Sequence, residues 1–424
     1  MNNQKRLLRD HLQNFLIVIL STSAIYLFIL TQSVPLNLHL PEFSLSPAAT
    51  EDLAAESSFL QELNWPVTLV VCDDSGQQRY QQLSTADNTF TSVEGLWEEL
   101  FREGYTPLAV SLSDYQQALS LPGIYVSFPT PVPSAILSER LGLSSSDETL
   151  LQHLLLSIDD TRVRFLFWDG SHYFFAQTDL SAEEVSATAE ILSGQPCSFA
   201  FDQEGSPLPP LTVLPAALPQ YALLSAVTST GTAETGELLT HFGFNAHTTN
   251  RYTESSGTEV IVEAPRKFSI APNGRISYLG SASHAPDGFV LSTQASPTLS
   301  DLVDGAYALL SRLPVRSEKS AQLYLSHAEY NHSGNTCLLR FSYMLNGLPL
   351  VCGDGEPAAE LLIEDGVVVN CSFLCRDYTL SDSPSLLLPL QQAQAIAEQY
   401  EGMEMALSYV DNGGDSVSVS WLMR

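Results

Sequence analysis

Basic residues are scarce in this chain: 18 Lys and Arg stand against 48 Asp and Glu in 424 residues, a formal net charge of −30. The deficit is uneven. Lys5, Arg6 and Arg9, offset only by Asp10, give the first 34 residues a charge of +2, so the remainder carries −32. Nucleic acid and anionic lipid head groups are polyanions, and this excludes them as partners of the long acidic part. Calcium would be a natural counter-ion, but no D-x-[DN]-x-[DN]-G loop occurs and no calcium site is predicted. Cysteine is sparse for the length, with six residues at 72, 197, 337, 352, 371 and 375. Each sits in an apolar, strand-like context, which reads as buried free thiols. The alternative is a pairing among Cys337, Cys352, Cys371 and Cys375. The spacing Cys371-x3-Cys375 lies outside the usual redox and zinc-ribbon patterns.

The motifs of common chemistry are also missing. There is no G-x-S-x-G elbow, no HExxH, no P-loop and no GxGxxG after a strand. His327, Glu329 and His332 come nearest to a metal set, but they fall on a hairpin whose turn is Asn331–Gly334. Asp73-Asp74, Asp159-Asp160 and Glu183-Glu184 are carboxylate pairs in turns or at helix starts, where acids solvate the chain or favour the helix dipole. The aromatic run Phe165, Phe167, Trp168, Tyr173, Phe174 and Phe175 reads first as cross-strand core pairs and second as a sugar-stacking surface. No catalytic residue, cofactor or metal ligand is therefore predicted.

What the sequence does contain is one long charge-free run, FLIVILSTSAIYLFILTQSV, at Phe15–Val34. At about 1.5 Å per residue it spans a hydrocarbon layer of about 30 Å as a helix. Lys5, Arg6 and Arg9 before it, with acids first among the charges after it, predict a cytoplasmic N-terminus and an extracellular bulk. A cleaved signal peptide also starts basic and apolar, but this run is long and lacks an A-x-A-like site, which favours an uncleaved single-pass anchor in the cell membrane. Within it Ser21, Thr22, Ser23 and Ala24 form a small-residue patch suited to contact with a partner helix.

Composition supports folded domains beyond the anchor, with 44% hydrophobic residues and 24 each of Gly and Pro. The expected fold is α+β: mixed antiparallel sheets backed by helices. Residues 1–14 read as a cytoplasmic tail, 15–34 as the transmembrane helix and 35–50 as a Pro- and Ser-rich linker. An N-terminal exported domain follows at 51–215. Within it Val93, Leu96, Trp97, Leu100 and Phe101 share one helical face. Asp169-Gly170 supplies a two-residue hairpin turn, and Ser181 with Glu184 forms a capping box. The proline-dense stretch near 205–220 marks the next boundary. Residues 216–312 and 313–424 then read as a weak repeat, each with strands around an NG or DG turn followed by a helix. The turn glycines Gly274 and Gly366 are 92 residues apart, and each precedes a helix-start proline, Pro297 or Pro389, by 23.

Several stretches together carry a resemblance. They are the basic start and single anchor, GIYVSFPTPVPSAIL, RYTESSGTEVIVEAPRKFSIAPNGRISYLG, and the tail from FSYMLNGLPLV through EDGVVV to LLLPLQQAQAIAEQY. In this layout the chain resembles the YycH and YycI proteins of Gram-positive bacteria, membrane-anchored accessory regulators of the WalK (YycG) sensor histidine kinase. Its length, with a domain before the repeat, is closer to YycH. The resemblance implies a non-enzymatic two-component-system regulator that tunes the kinase through contacts of membrane helices and extracellular domains, and so affects cell-wall metabolism. The implied partners are the kinase and a related anchored regulator. The competing expectation is an anchored cell-wall-binding protein or cell-wall-modifying enzyme.

Overall fold

The computed structural model describes residues 66–83, 89–143, 148–206, 208–218, 220–228, 232–313, 321–345, 347–397, 399 and 405–423. The chain divides into two units, Met1–Ala54 and Ala55–Arg424. The first unit, with the apolar run and Ser21, Thr22, Ser23 and Ala24, lies outside the described residues, as do residues 55–65. Among the described residues no helix is long and apolar enough to cross a membrane.

The second unit is a mixed α+β structure built on two sheets. The first sheet has nine strands: β1 (Thr68–Cys72), β2 (Gln78–Gln82), β3 (Leu108–Val110), β4 (Gly123–Pro133), β5 (Leu150–Asp159), β6 (Arg162–Trp168), β7 (Tyr173–Ser181), β8 (Gln195–Phe199) and β9 (Val213–Pro215). They lie in the order β3-β7-β6-β5-β4-β1-β2-β8-β9 with antiparallel neighbours. Helices α1 (Thr91–Glu103), α2 (Leu112–Leu119), α3 (Ser134–Arg140) and α4 (Ala182–Ile191) are threaded between them.

Strand alternation decides which face each helix covers. Leu69, Val71, Val126, Leu154, Leu156, Phe165 and Phe167 point to one face, where α1 buries Val93, Leu96, Trp97 and Leu100, and α4 buries Val185 and Ala189. Val70, Tyr125, Leu155 and Leu166 point to the other, where α2 seats Tyr115, Ala118 and Leu119. Ser111 caps α2 through a reciprocal bond with Asp114. At α4 the cap differs from expectation. Ser181 holds the N-cap position, but its side chain makes no capping bond.

The second sheet carries β10 (Ala222–Thr228), β11 (Arg251–Thr253), β12 (Glu259–Glu263), β13 (Arg266–Ile270), β14 (Arg275–Leu279), β15 (Gln322–Asn331), β16 (Thr336–Leu345), β17 (Leu348–Cys352), β18 (Ala359–Glu364), β19 (Val367–Leu374), β20 (Arg376–Pro384), β21 (Met405–Asp411) and β22 (Ser416–Met423). Helices α5 (Thr232–His241), α6 (Leu299–Ser311) and α7 (Leu390–Ala397) complete it. The pairing path β19-β18-β16-β17-β21-β22-β10-β20 returns to its start, because β19 and β20 follow each other with only Cys375 between them. Counting β19 and β20 as one strand, the pairings form a ring, with β14-β13-β12-β11 branching off β19 and β15 pairing with β16 off the path. Among the described residues, only β17 and β21 pair in parallel.

Gly274 sits where this closure is tightest. Its φ is +89°, and a Cβ there would lie 2.8 Å from both the Cys375 carbonyl oxygen and the Thr228 side chain. Inside the ring the guanidinium of Arg376 lies 2.8 Å from Asp411 Oδ2, with side chains only 5% and 2% exposed. Tyr378 donates to the same oxygen at 2.7 Å, and the other oxygen accepts the Gly413 N–H at 2.7 Å. Arg376 also donates to Thr228 Oγ1 at 3.2 Å and to the Gly414 carbonyl. The ion pair thus ties β20 to β10 and β21.

The two sheets share one continuous apolar core. At the seam, β4 leaves its register with β5 between Ser127 and Val132, and Thr130 Oγ1 donates to Leu325 O of β15. Helix α3 meets α6 nearby. Helix α6 buries seven residues in the shared core, whereas α7 buries only Ala393 and Ala397, in a small cluster with Leu208 and with Leu214 of β9. All six cysteines are free thiols, five of them buried and Cys197 half-buried.

Removing one partner from a buried ion pair strands the other charge. Asp411→Ala is expected to cost about 3–5 kcal/mol in urea unfolding, and Tyr378→Phe about 1 kcal/mol. A loss below 1 kcal/mol in both variants would contradict the role given to this pair.

Candidate functional site

A groove of about 1,060 Å3 lies on the α2 face of the first sheet. Its floor is Arg164 and Leu166 of β6 with Phe175 and Gln177 of β7, paired across the strands as Leu166 with Phe175 and Arg164 with Gln177. One wall is α2 and the residues after it, with Asp114, Gln117, Ala118 and Leu121. The β5–β6 turn closes one end through Asp159, Thr161 and Arg162, and the rim passes over the outer edge of β7 to Glu103 and Gly104 at the end of α1. The groove exists because β3 is short. It covers only Tyr173–Phe175 of β7, leaving Ala176–Ser181 without a strand partner on that side among the described residues.

The register of β6 and β7 also breaks here. Arg164 pairs with Gln177 and Arg162 with Ser181, so Thr178, Asp179 and Leu180 bulge against Val163. Thr178 Oγ1 donates to Val163 O at 3.0 Å and fixes the bulge. Asp159 forms an ion pair with Arg164, whose guanidinium lies 5.9 Å from the centre of the Phe175 ring. Glu103, Asp114 and Asp179 remain exposed around the groove. With two arginines against four carboxylates, the lining is acidic.

Beside the groove, on the same face, His153, Trp168 and Tyr173 occupy one row across β5, β6 and β7. The His153 ring lies 5.1 Å from Trp168 and 5.9 Å from Tyr125, nearly parallel to the latter. Tyr125 Oη is 2.6 Å from His153 Nδ1, and Tyr115 donates to the His153 carbonyl at 3.1 Å. Enclosure by these rings disfavours the charged imidazole and pushes its pKa down to about 3. His153 is accordingly neutral at physiological pH, and its tautomer sets which of Nδ1 and Tyr125 Oη donates.

The residues singled out in the sequence take other places. The aromatic run divides by strand alternation. Phe165, Phe167 and Phe174 face α1, with Tyr105 5.0 Å from Phe165 and 5.8 Å from Phe167, while Trp168, Tyr173 and Phe175 face the groove side. Asp73 caps its own turn, accepting from Ser75 N at 2.9 Å and Gln77 N at 3.0 Å, and the Ser75 hydroxyl leads in lowering its pKa. Asp160 lies in the β5–β6 turn with φ 57°, and Glu183 and Glu184 lie in the first turn of α4. His327 and Glu329 share a strand face at 3.9 Å, but His332 turns away to Glu148 at 3.3 Å, so the three do not converge. Burial raises the thiol pKa of Cys72 and Cys352 to about 11, and of Cys197, Cys337 and Cys371 to about 12.

One turn is corrected. At Asp169-Gly170 only Gly170 has positive φ, at 100°, and the loop runs to His172, with Asp169 Oδ1 accepting from Ser171 N and His172 N at 2.7 Å. The aspartate's side chain replaces the left-handed backbone that a two-residue turn would demand. Of the groove residues, only Asp159 and Phe175 were among the sequence candidates. The alternation Arg162-x-Arg164-x-Leu166 was the available signal.

No protein-family model matches the chain, and no curated protein matches it. A crystal structure of an uncharacterized protein from Eubacterium rectale is similar over 48% of this chain and 76% of its own, at 10% identity and a TM-score of 0.32. At that level of likeness it fixes neither fold nor function.

The His153 assignment has a signed consequence. A histidine whose folded pKa lies near 3, against about 6.5 when unfolded, binds fewer protons folded than unfolded between those values. Stability then falls as pH drops through that window, with a slope of up to about 1.4 kcal/mol per pH unit, and is unaffected by this group above it. Urea unfolding of His153→Gln between pH 6.5 and 4.5 should show a shallower pH dependence than the parent; identical slopes would refute the assignment.

Proposed function

We propose that this chain is a membrane-anchored extracytoplasmic regulatory protein of a two-component sensor histidine kinase that controls cell-wall metabolism, working by helix–helix and extracellular domain contacts. The observation that carries the reading is the charge-free run Phe15–Val34, preceded by Lys5, Arg6 and Arg9 and followed by about 390 residues of acidic chain. In this reading the N-terminus is cytoplasmic, the bulk extracellular, and Ser21, Thr22, Ser23 and Ala24 meet the partner helix. The partners are the kinase and a related anchored regulator. The resemblance to YycH and YycI proteins supports it.

The same reading treats 51–215, 216–312 and 313–424 as three domains, the last two a repeat. Support comes from the pairing of β14 with β19. These strands follow the turn glycines Gly274 and Gly366, and they run antiparallel with Tyr278 opposite Cys371. Two copies related by a local two-fold axis would meet in this way.

Regulation of this kind needs only a helix that packs differently against two states of its partner. A second reading, an anchored cell-wall-binding protein, is favoured by the groove beside Phe175. Purified cell wall distinguishes it, by retaining the protein or failing to.

Replacing Ser21 and Ala24 together with Leu is expected to change kinase output in cells roughly fivefold or more, the lower end of a typical coupling between sites. The far-UV spectrum of the purified protein should not change. Regulation that survives exchange of residues 15–34 for an unrelated anchor would end the membrane-contact version.

A further inference from the structure

We infer that the groove at the outer edge of β7 is a docking site for an extended, basic peptide segment of a partner protein. The inference rests on the reading of the exported part as a contact surface. Its geometry is that of an incomplete sheet edge. β3 accounts for three of the nine residues of β7, and the line it would follow beyond Phe175 opens into the groove. Ala176 is fully buried, so an added strand has only the exposed Gln177 to pair with on the side away from β6. Past Gln177 the bulge at Thr178–Leu180 interrupts regular pairing. The bulge limits strand addition to a short stretch, which protects the edge from open-ended association with other chains. The remaining recognition must come from side chains. Leu108, at the tip of β3, is 61% exposed and Phe175 half-exposed, so an apolar residue of the incoming segment has a place beside the edge.

Charge selects the occupant. Glu103, Asp114 and Asp179 line the groove as exposed carboxylates against one exposed cation, Arg162, while Arg164 is held by Asp159. A segment with alternating basic and apolar residues places its cations against these acids and its apolar side chains against Phe175 and Leu108. A second copy of the chain is disfavoured by its net charge of −30. Residues 35–65 of the same chain are disfavoured because they carry five acids and no Lys or Arg.

The test is binding of labelled twelve-residue peptides to the full chain in mild detergent, followed by fluorescence anisotropy. The probes are an alternating Lys/Val peptide, its Glu/Val counterpart, and the Lys/Val peptide N-methylated at alternate residues. Saturable binding of the first only is expected. It should weaken about tenfold in Glu103→Lys with Asp179→Lys, and also with rising salt. Glu254→Lys with Asp382→Lys, which makes the same change in net charge on the second sheet, should leave it unchanged. Equal binding of the acidic or N-methylated peptide, no binding at all, or equal weakening by both double variants would each overturn the assignment. The assay contains no kinase, so its failure removes the groove as a peptide site and leaves the regulator reading to the helix-exchange experiment.

Discussion

The stretch Val367–Pro384 has to serve two neighbours at once. Its first half pairs with β14 and β18, and its second half with β10, so one nearly continuous strand begins and ends the ring of the second sheet. A ring of this kind demands that strands far apart in sequence reach the same register, and among the described residues it leaves edges at β11 and β15. The demand concentrates at Cys375, whose N–H donates to the Gly274 carbonyl at 2.9 Å, and at Arg376 directly after it. A buried guanidinium is tolerable there because Asp411, Thr228 and the 413–414 carbonyls all meet it. The desolvation cost of the pair argues that its contribution is one of register: this alignment of β10, β20 and β21 brings Asp411, Thr228 and two carbonyls to the guanidinium.

The first sheet manages its edges differently. It stays open, ending in the three-residue strands β3 and β9, and the break in β7 pairing blunts the edge that β3 leaves bare. The groove at the rim of this open sheet is a surface suited to reversible contact. The acidity that keeps such an edge from pairing with further copies also sets the sign of the partner it can accept.

Local elements were legible in the sequence and long-range ones were not. The face of α1 could be read because Val93, Leu96, Trp97 and Leu100 recur at helical spacing, and all four are buried. Asp365-Gly366 was legible as a turn, and both residues take positive φ, at 51° and 75°. Asp169-Gly170 shows the same dipeptide and a different loop, because the Asp169 carboxylate can hold two N–H groups instead. The ring closure left no local trace, since pairing of Thr228 with Arg376 is set by packing of the whole sheet. The groove was illegible for the same reason: its lining joins the end of α1, α2 and four strands, each unremarkable alone, and its depth depends on how few residues of β3 reach β7. The apolar run Phe15–Val34 was the clearest sequence signal for function, and it lies outside the described residues.

The central claim is that the anchor and the exported sheets act together on a membrane partner. Photocrosslinking in living cells, from an unnatural side chain placed at position 21 or 24, tests this most directly. The account predicts an adduct with a membrane sensor kinase from these positions and none from the opposite helix face. A mature protein found without residues 1–34, or adducts to lipid alone from every position, would contradict it.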